Sequence, residues 1–331
     1  MLEDPGLDPD ELAAALGDGF GIRAGAFRFV AGYDQRAAAY EVTAADGRWF
    51  AKIRFGAFAD APLEVPRALL DAGVTNVLAP IRTTEGGLYH PMTGDRGMVV
   101  SPFVAGRSAM ETGLTQAQWR QFGHALRAVH DTDLPERLAA RLRAETFSLP
   151  CAQAVREALT LAARPPVASV AGARLASGIA ERRDRILAMV DRAEGLAAEL
   201  RQRSFDRVLC HADIHAANLL VADDGRVYLV DWDGPMLAPR ERDLLFVIGS
   251  RIARDVQPHE EEWFFEGYRE APVDRDAIVY YRYERVLEDI GAIGDSVFRN
   301  AAFSEESRAA EVRIFEGLFA PGGMLETVES A

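Results

Sequence analysis

Apolar residues alternate with polar ones over short runs early in the chain, and recur at helical spacing over most of the remainder. Residues 8–18 (DPDELAAALGD) predict an amphipathic helix with acidic residues in its first turn, where the helix dipole favours them. Three strand-like runs follow at 27–31, 37–43 and 49–54, with Asp46-Gly47 marking a turn between the second and third. Together they predict an antiparallel meander, with Lys52 on its third strand between Ala51 and Ile53. A helix is predicted over 63–72, ending at Gly73; Pro66 would be tolerated only near its first turn. Further strands are expected near 88–91 and 97–101, leading into a connector at 101–106 (SPFVAG).

From Thr115 the period becomes helical. Trp119, Phe122, Leu126 and Val129 share one face of a helix over 115–131. Helices are predicted at 151–163 and 173–200, broken by Arg164-Pro165-Pro166. Short strands return at 208–210, 218–221 and 227–230, the last two joined by a hairpin turn at Asp223-Asp224-Gly225. The chain is then expected to be helical at 241–250, 259–269, 274–292 and 305–319. The whole reads as an α+β chain: a small sheet first, mainly helices after.

Composition narrows the function. The 331 residues suit two lobes rather than one simple core. A formal net charge of −14 repels polyanions, which disfavours nucleic acid as a main ligand and suits a cationic substrate. The acidic start is unlike a secretory signal, and no run nears the roughly 20 apolar residues of a membrane span. Two widely spaced cysteines, Cys151 and Cys210, fit reduced structural thiols in a cytoplasmic protein.

The chemistry concentrates in residues 209–235, LCHADIHAANLLVADDGRVYLVDWDGP. Phosphoryl transfer to a hydroxyl needs a carboxylate that orients the nucleophile and accepts its proton late, and Asp213 fits that part. It also needs hard oxygen ligands for Mg²⁺, which Asn218 and Asp231 would supply. An Asp, an Asn five residues later and a second Asp after a hairpin match the kinase template. Lys52 would pair with phosphate oxygens of ATP, held by Glu64 or, failing that, Asp60. The segment 31–37 should cover the phosphates, with Asp34 among its nucleotide contacts, yet it holds one glycine and lacks G-x-G-x-x-G. Ser101 and Phe103 are the candidates for holding adenine through backbone groups. His211, Asp213 and His215 also permit a metallohydrolase reading, but the other histidines do not cluster. A non-catalytic nucleotide binder would be expected to have lost one of these groups. All are present.

These motifs resemble the aminoglycoside phosphotransferase family, and within it the spectinomycin phosphotransferases. The likeness rests on HADIHAAN at 211–218, Asp231-Trp232-Asp233, PMLAPRERDL at 235–244, YYRYERVLEDI at 280–290 and the hinge SPFV at 101–104. It implies a protein-kinase-like two-lobe fold. Residues 1–104 would form the nucleotide-binding lobe with its hinge, and residues 105–331 a helical lobe with the catalytic loop and substrate site. It implies transfer of the ATP γ-phosphate to a hydroxyl of an aminocyclitol antibiotic, the 9-hydroxyl of spectinomycin, leaving a product that binds the ribosome poorly. Choline, a sugar or methylthioribose are the alternative acceptors for the same fold. A cationic antibiotic would need carboxylates, and Asp213, Asp233, Glu284 and Glu288, with Tyr281 for ring packing, are the candidates. Surface ion pairs with Arg282 and Arg285 are the bland reading of those two glutamates. Asp243 is expected to brace the catalytic loop.

Overall fold

The computed structural model describes residues 4–31, 37–56, 59–165, 169–300, 303–323 and 325. The chain divides into two compact units. One contains Met1–Arg143, His211–Met236 and Trp263–Arg269, and the other contains Ala144–Cys210, Leu237–Glu262 and Glu270–Ala331.

In the first unit, helix α1 (Pro9–Phe20) is capped by the Asp8 side chain and ends at Gly21, whose φ of 69° suits glycine. Strands β1 (Ala24–Val30), β2 (Ala37–Ala44) and β3 (Gly47–Phe55) form the expected meander. Helix α2 (Ala61–Asp71) starts two residues earlier than the pattern predicted, so Pro66 stands inside it. Strands β4 (His90–Met92) and β5 (Arg96–Pro102) complete a five-stranded sheet in the order β1-β2-β3-β5-β4.

Strand alternation gives this sheet two distinct faces. Ala38, Tyr40, Val42, Ala51, Ile53, Met98 and Val100 pack in a core with Leu12 and Leu16 of α1. Their neighbours Ala39, Lys52, Arg54, Val99 and Ser101 line a cleft instead. One residue of register slip would exchange the two sets, so the α1 core also fixes where Lys52 points.

Strand β6 (Gly106–Ser108), short helix α3 (Ala109–Thr112), helix α4 (Gln116–His130) and short helix α5 (Glu136–Ala139) follow. A Thr115–Gln118 capping box starts α4, and Trp119, Phe122, Leu126 and Val129 form its buried face as predicted. Gly123 is needed on that helix: a Cβ there would lie 2.2 Å from the Phe264 carbonyl oxygen.

Strand β7 (Arg143–Ala144) leads into α6 (Ala152–Ala163), α7 (Val170–Glu181), α8 (Arg183–Leu200) and strand β8 (Val208–Cys210). The single helix predicted over 173–200 is thus two helices. The chain turns at Arg182 (φ −110°, ψ 8°), letting α7 pack on a later helix and α8 on another. A 3-10 turn (Ala216–Asn218) precedes β9 (Leu219–Ala222) and β10 (Val227–Leu229), which pair as a hairpin closed at Gly225. β6 adds to the outer edge of β9. Asn76 anchors the hairpin: its carbonyl accepts from Leu229 N–H, and its side chain donates to the Val227 carbonyl, both at 2.8 Å.

Strand β11 (Met236–Ala238), short helix α9 (Glu241–Leu244) and helices α10 (Pro258–Tyr268), α11 (Arg275–Arg299) and α12 (Glu305–Leu318) complete the chain. The helix expected over 241–250 covers only its first turn. Beyond it, Phe246 and Val247 donate to carbonyls three residues back and Ile248 to one four back, so the regular winding is broken. In the second unit α11 is the central element, flanked by α6, α7, α8, α9 and α12. Its Gly291 and Gly294 let Ala154 and Ala158 of α6 approach closely. No helix among the described residues is long and apolar enough to cross a membrane.

Candidate active site

The loop preceding β9 is fastened to the end of β10 by His211, which is fully buried. Its Nε2 donates to the Val230 carbonyl at 2.9 Å, and its Nδ1 accepts from Asp213 N–H at 3.3 Å. Its ring packs on Trp232 at a centroid distance of 4.5 Å. One side chain therefore ties the Asp213 backbone to the residue before Asp231. Ala212 (φ 70°) and Asp231 (φ 64°) both adopt left-handed backbone that non-glycine residues rarely take. Such strain, of order 1–3 kcal/mol each, clusters at functional positions.

Asn218 is buried at the foot of the same loop. Its Nδ2 donates to the Asp213 carbonyl at 2.7 Å and lies 3.4 Å from Asp213 Oδ2. Its own carbonyl accepts from Val230 N–H at 3.1 Å. With the nitrogen end engaged, Oδ1 is the atom Asn218 would offer to a cation. Asn218 and Asp231 thus present an amide oxygen and a carboxylate, a donor set that fits Mg²⁺. His215 caps the 3-10 turn, its Nδ1 accepting from Ala217 N–H, and its Nε2 is 3.5 Å from Asp213 Oδ2.

Across the cleft floor, Lys52 Nζ lies 3.1 Å from Asp233 Oδ2 and 3.3 Å from Asp231 Oδ1. Arg54 Nη1 donates to Asp233 Oδ1 at 2.6 Å. Burial disfavours the Lys52 charge, but Asp231 and Asp233 outweigh it and raise its pKa above the usual lysine value. Burial likewise works against Asp233 ionisation, yet Lys52 and Arg54 hold its carboxyl below the ordinary range. These groups lie in a cleft of about 600 Å³ with apolar walls from Ala39, Phe50, Val99, Phe103 and Leu220.

Several expectations are corrected. Glu64 turns to Arg141, at 3.0 Å, while Lys52 is held by Asp231 and Asp233, whose two carboxylates supply the counter-charge that Glu64 was expected to give. Ser101 and Phe103 do line the cleft, but the Phe103 N–H is donated to the Arg48 carbonyl at 3.1 Å, continuing the sheet. Its ring lies under the Arg48 guanidinium, 4.1 Å from the centroid. Asp34 lies outside the described residues.

Tyr281 and Glu284 line no open surface: they are buried at 0% and 3% exposure. Glu284 bonds Arg242 and accepts from Tyr280 Oη at 3.0 Å, and Glu288 stands 3.6 Å from Arg242. The surface-pair reading also fails, since Arg285 faces Asp289 and Arg282 donates to the Ile248 carbonyl. The reason is that α11 is covered on nearly every side, so a polar face on it turns inward. Asp243 is fully buried, in keeping with a structural part.

Arg54 was missed. Its signal was its place two residues after Lys52, which alternation puts on the same sheet face.

An antiparallel sheet with a lysine facing an acidic loop-and-hairpin motif defines the class: a protein-kinase-like α+β phosphotransferase fold. Residues 28–278 match the phosphotransferase enzyme family, APH, and the chain belongs to it. Spectinomycin phosphotransferase APH(9)-Ia, solved with ADP and spectinomycin, superposes with a TM-score of 0.89 at 32% identity over 98% of each chain. Its AMP-bound complex gives 0.86 and 31%, covering 98% of this chain and 99% of that one. Protein StrN of Streptomyces griseus is 31% identical over 193 residues, 54% of this chain and 57% of that protein's length. A choline/ethanolamine kinase family protein from Mesorhizobium loti shares the fold at 16% identity and a TM-score of 0.56, over 97% of this chain and 99% of that one.

Proposed function

We propose that this protein transfers the γ-phosphate of ATP to a hydroxyl of a cationic aminocyclitol antibiotic, with spectinomycin and its 9-hydroxyl the leading candidate, and so confers resistance. The observation that carries this reading is the fastening of the Asp213–Asn218 loop to the segment that leaves β10 and carries Asp231, whose carboxylate faces Lys52. Similarity to APH(9)-Ia over 98% of both chains supports the choice of antibiotic.

In this reading Asp213 orients the acceptor hydroxyl and takes its proton as the acceptor oxygen bonds to the γ-phosphorus. The bond from that phosphorus to the ADP oxygen breaks, and ADP leaves. Lys52 pairs with phosphate oxygens. Asn218 and Asp231 would hold Mg²⁺, which would neutralise phosphate charge when bound. Residues 1–104 serve the nucleotide and residues 105–331 the acceptor, in the cytoplasm where ATP is available. Asp233, placed by the sequence near the acceptor, acts instead on the cations of β3.

A second reading, a kinase of choline, a sugar or methylthioribose, gains from one observation. Burial of Tyr281 and Glu284 withdraws two of the groups that a cationic antibiotic was expected to meet. Purified protein with ATP and Mg²⁺ should release ADP with spectinomycin and far less with kanamycin, hygromycin or choline. Turnover with choline alone would transfer the reading to the metabolite class.

A further inference from the structure

Arg54 has no part in the kinase template, yet it is among the best-placed cations in the cleft. It lies two residues from Lys52 on β3, so both side chains leave the same face. Across the ladder Arg54 faces Gly97, which has no side chain to obstruct it. Asp233 joins the pair, with one oxygen 2.6 Å from Arg54 Nη1 and the other 3.1 Å from Lys52 Nζ. Both cationic side chains are largely shielded, at 16% and 20% exposure, which strengthens their pull on an anion. In sequence the segment 31–37 carries one glycine and lacks G-x-G-x-x-G.

Building on the nucleotide site proposed above, we propose that Arg54 is a second phosphate ligand, gripping the terminal phosphates of a nucleoside triphosphate beside Lys52, with Asp233 as the shared counter-charge that aims both cations. A guanidinium has five N–H donors in a planar fork, a geometry that suits a two-point grip on phosphate.

Calorimetric titration of the full chain with Mg²⁺-ATP, Mg²⁺-ADP and adenosine tests this. Charge-assisted hydrogen bonds of this kind imply that R54A binds ATP at least about tenfold more weakly. Adenosine affinity should stay as in the parent, and R54K, with charge but no fork, should fall between. Should R54A fail to fold, R54K and R54Q carry the same comparison, with the adenosine titration reporting an intact cleft. Unchanged ATP affinity, or equal losses for ATP and adenosine, overturns the inference and leaves Arg54 as a brace for Asp233. A parent chain that binds no adenosine nucleotide sinks the proposed function as well.

Discussion

Two clusters of cations and carboxylates in this molecule differ in how far their acids reach solvent. In the cleft, Lys52 and Arg54 face Asp231 and Asp233, whose side chains are 48% and 39% exposed. In the helical unit, Arg242 bonds Glu284 with side-chain exposures of 9% and 4%. The first cluster is the one in which, on the proposed function, an incoming phosphate would replace a carboxylate, since its acids are open to water. The second cannot: breaking it leaves a charge in the interior, which costs several kcal/mol. Charge in a sequence therefore marks a site only when the fold leaves it accessible.

The sharpest way to break this contrast is Arg242→Met. It strands Glu284 and should cost about 3–5 kcal/mol in urea unfolding. Asp233→Asn, in the cleft, should cost under about 1 kcal/mol. Equal costs would erase the distinction. Next in size, Asp213→Ala should lower kcat for phosphorylation roughly a hundredfold, the scale of general-base catalysis, with the unfolding midpoint near the parent's. A retained rate would remove Asp213 from its proposed part.

The clusters should also differ in sign with pH. Burial pushes the Glu284 carboxyl up to about 7 against the opposing pull of Arg242, with Glu288 and Glu145 adding to the rise. A raised folded-state pKa gives stability that is full below the ordinary carboxylate value and lost as pH rises through about 7. Unfolding free energy should thus fall by roughly 2 kcal/mol between pH 5 and 8, and Glu284→Gln should flatten that limb. Asp233 is depressed, so its contribution is present above the ordinary value and lost as pH falls through its folded value. Asp233→Asn should flatten the acid limb instead. The smallest effect tests loop strain: Ala212→Gly should stabilise the fold by about 1 kcal/mol, since glycine adopts the φ of 70° without a Cβ clash.

The meander, the 115–131 helix and the hairpin were legible because each buries one face at a regular period. Asp213, Asn218 and Asp231 were legible because two short strands and a turn set their spacing within one local segment. The split at Arg182 carries no local signal, since neither a proline nor a glycine stands at it, whereas the end of the winding after α9 is marked only by Gly249 (φ 52°). Glu284 and Tyr281 were misplaced for a related reason. A polar helix face reads as solvated until the neighbouring helices that cover α11 are known.

By itself the sequence determined most of the longer elements, the family and the loop that holds Asp213 and Asn218, because those depend on periods and spacings within one stretch of chain. Only the tertiary structure decided which counter-charge holds Lys52, that Arg54 shares it, and that Glu284 is interior. Each of those choices is a competition between charges some 40 to 180 residues apart in the chain, and burial and distance settle it.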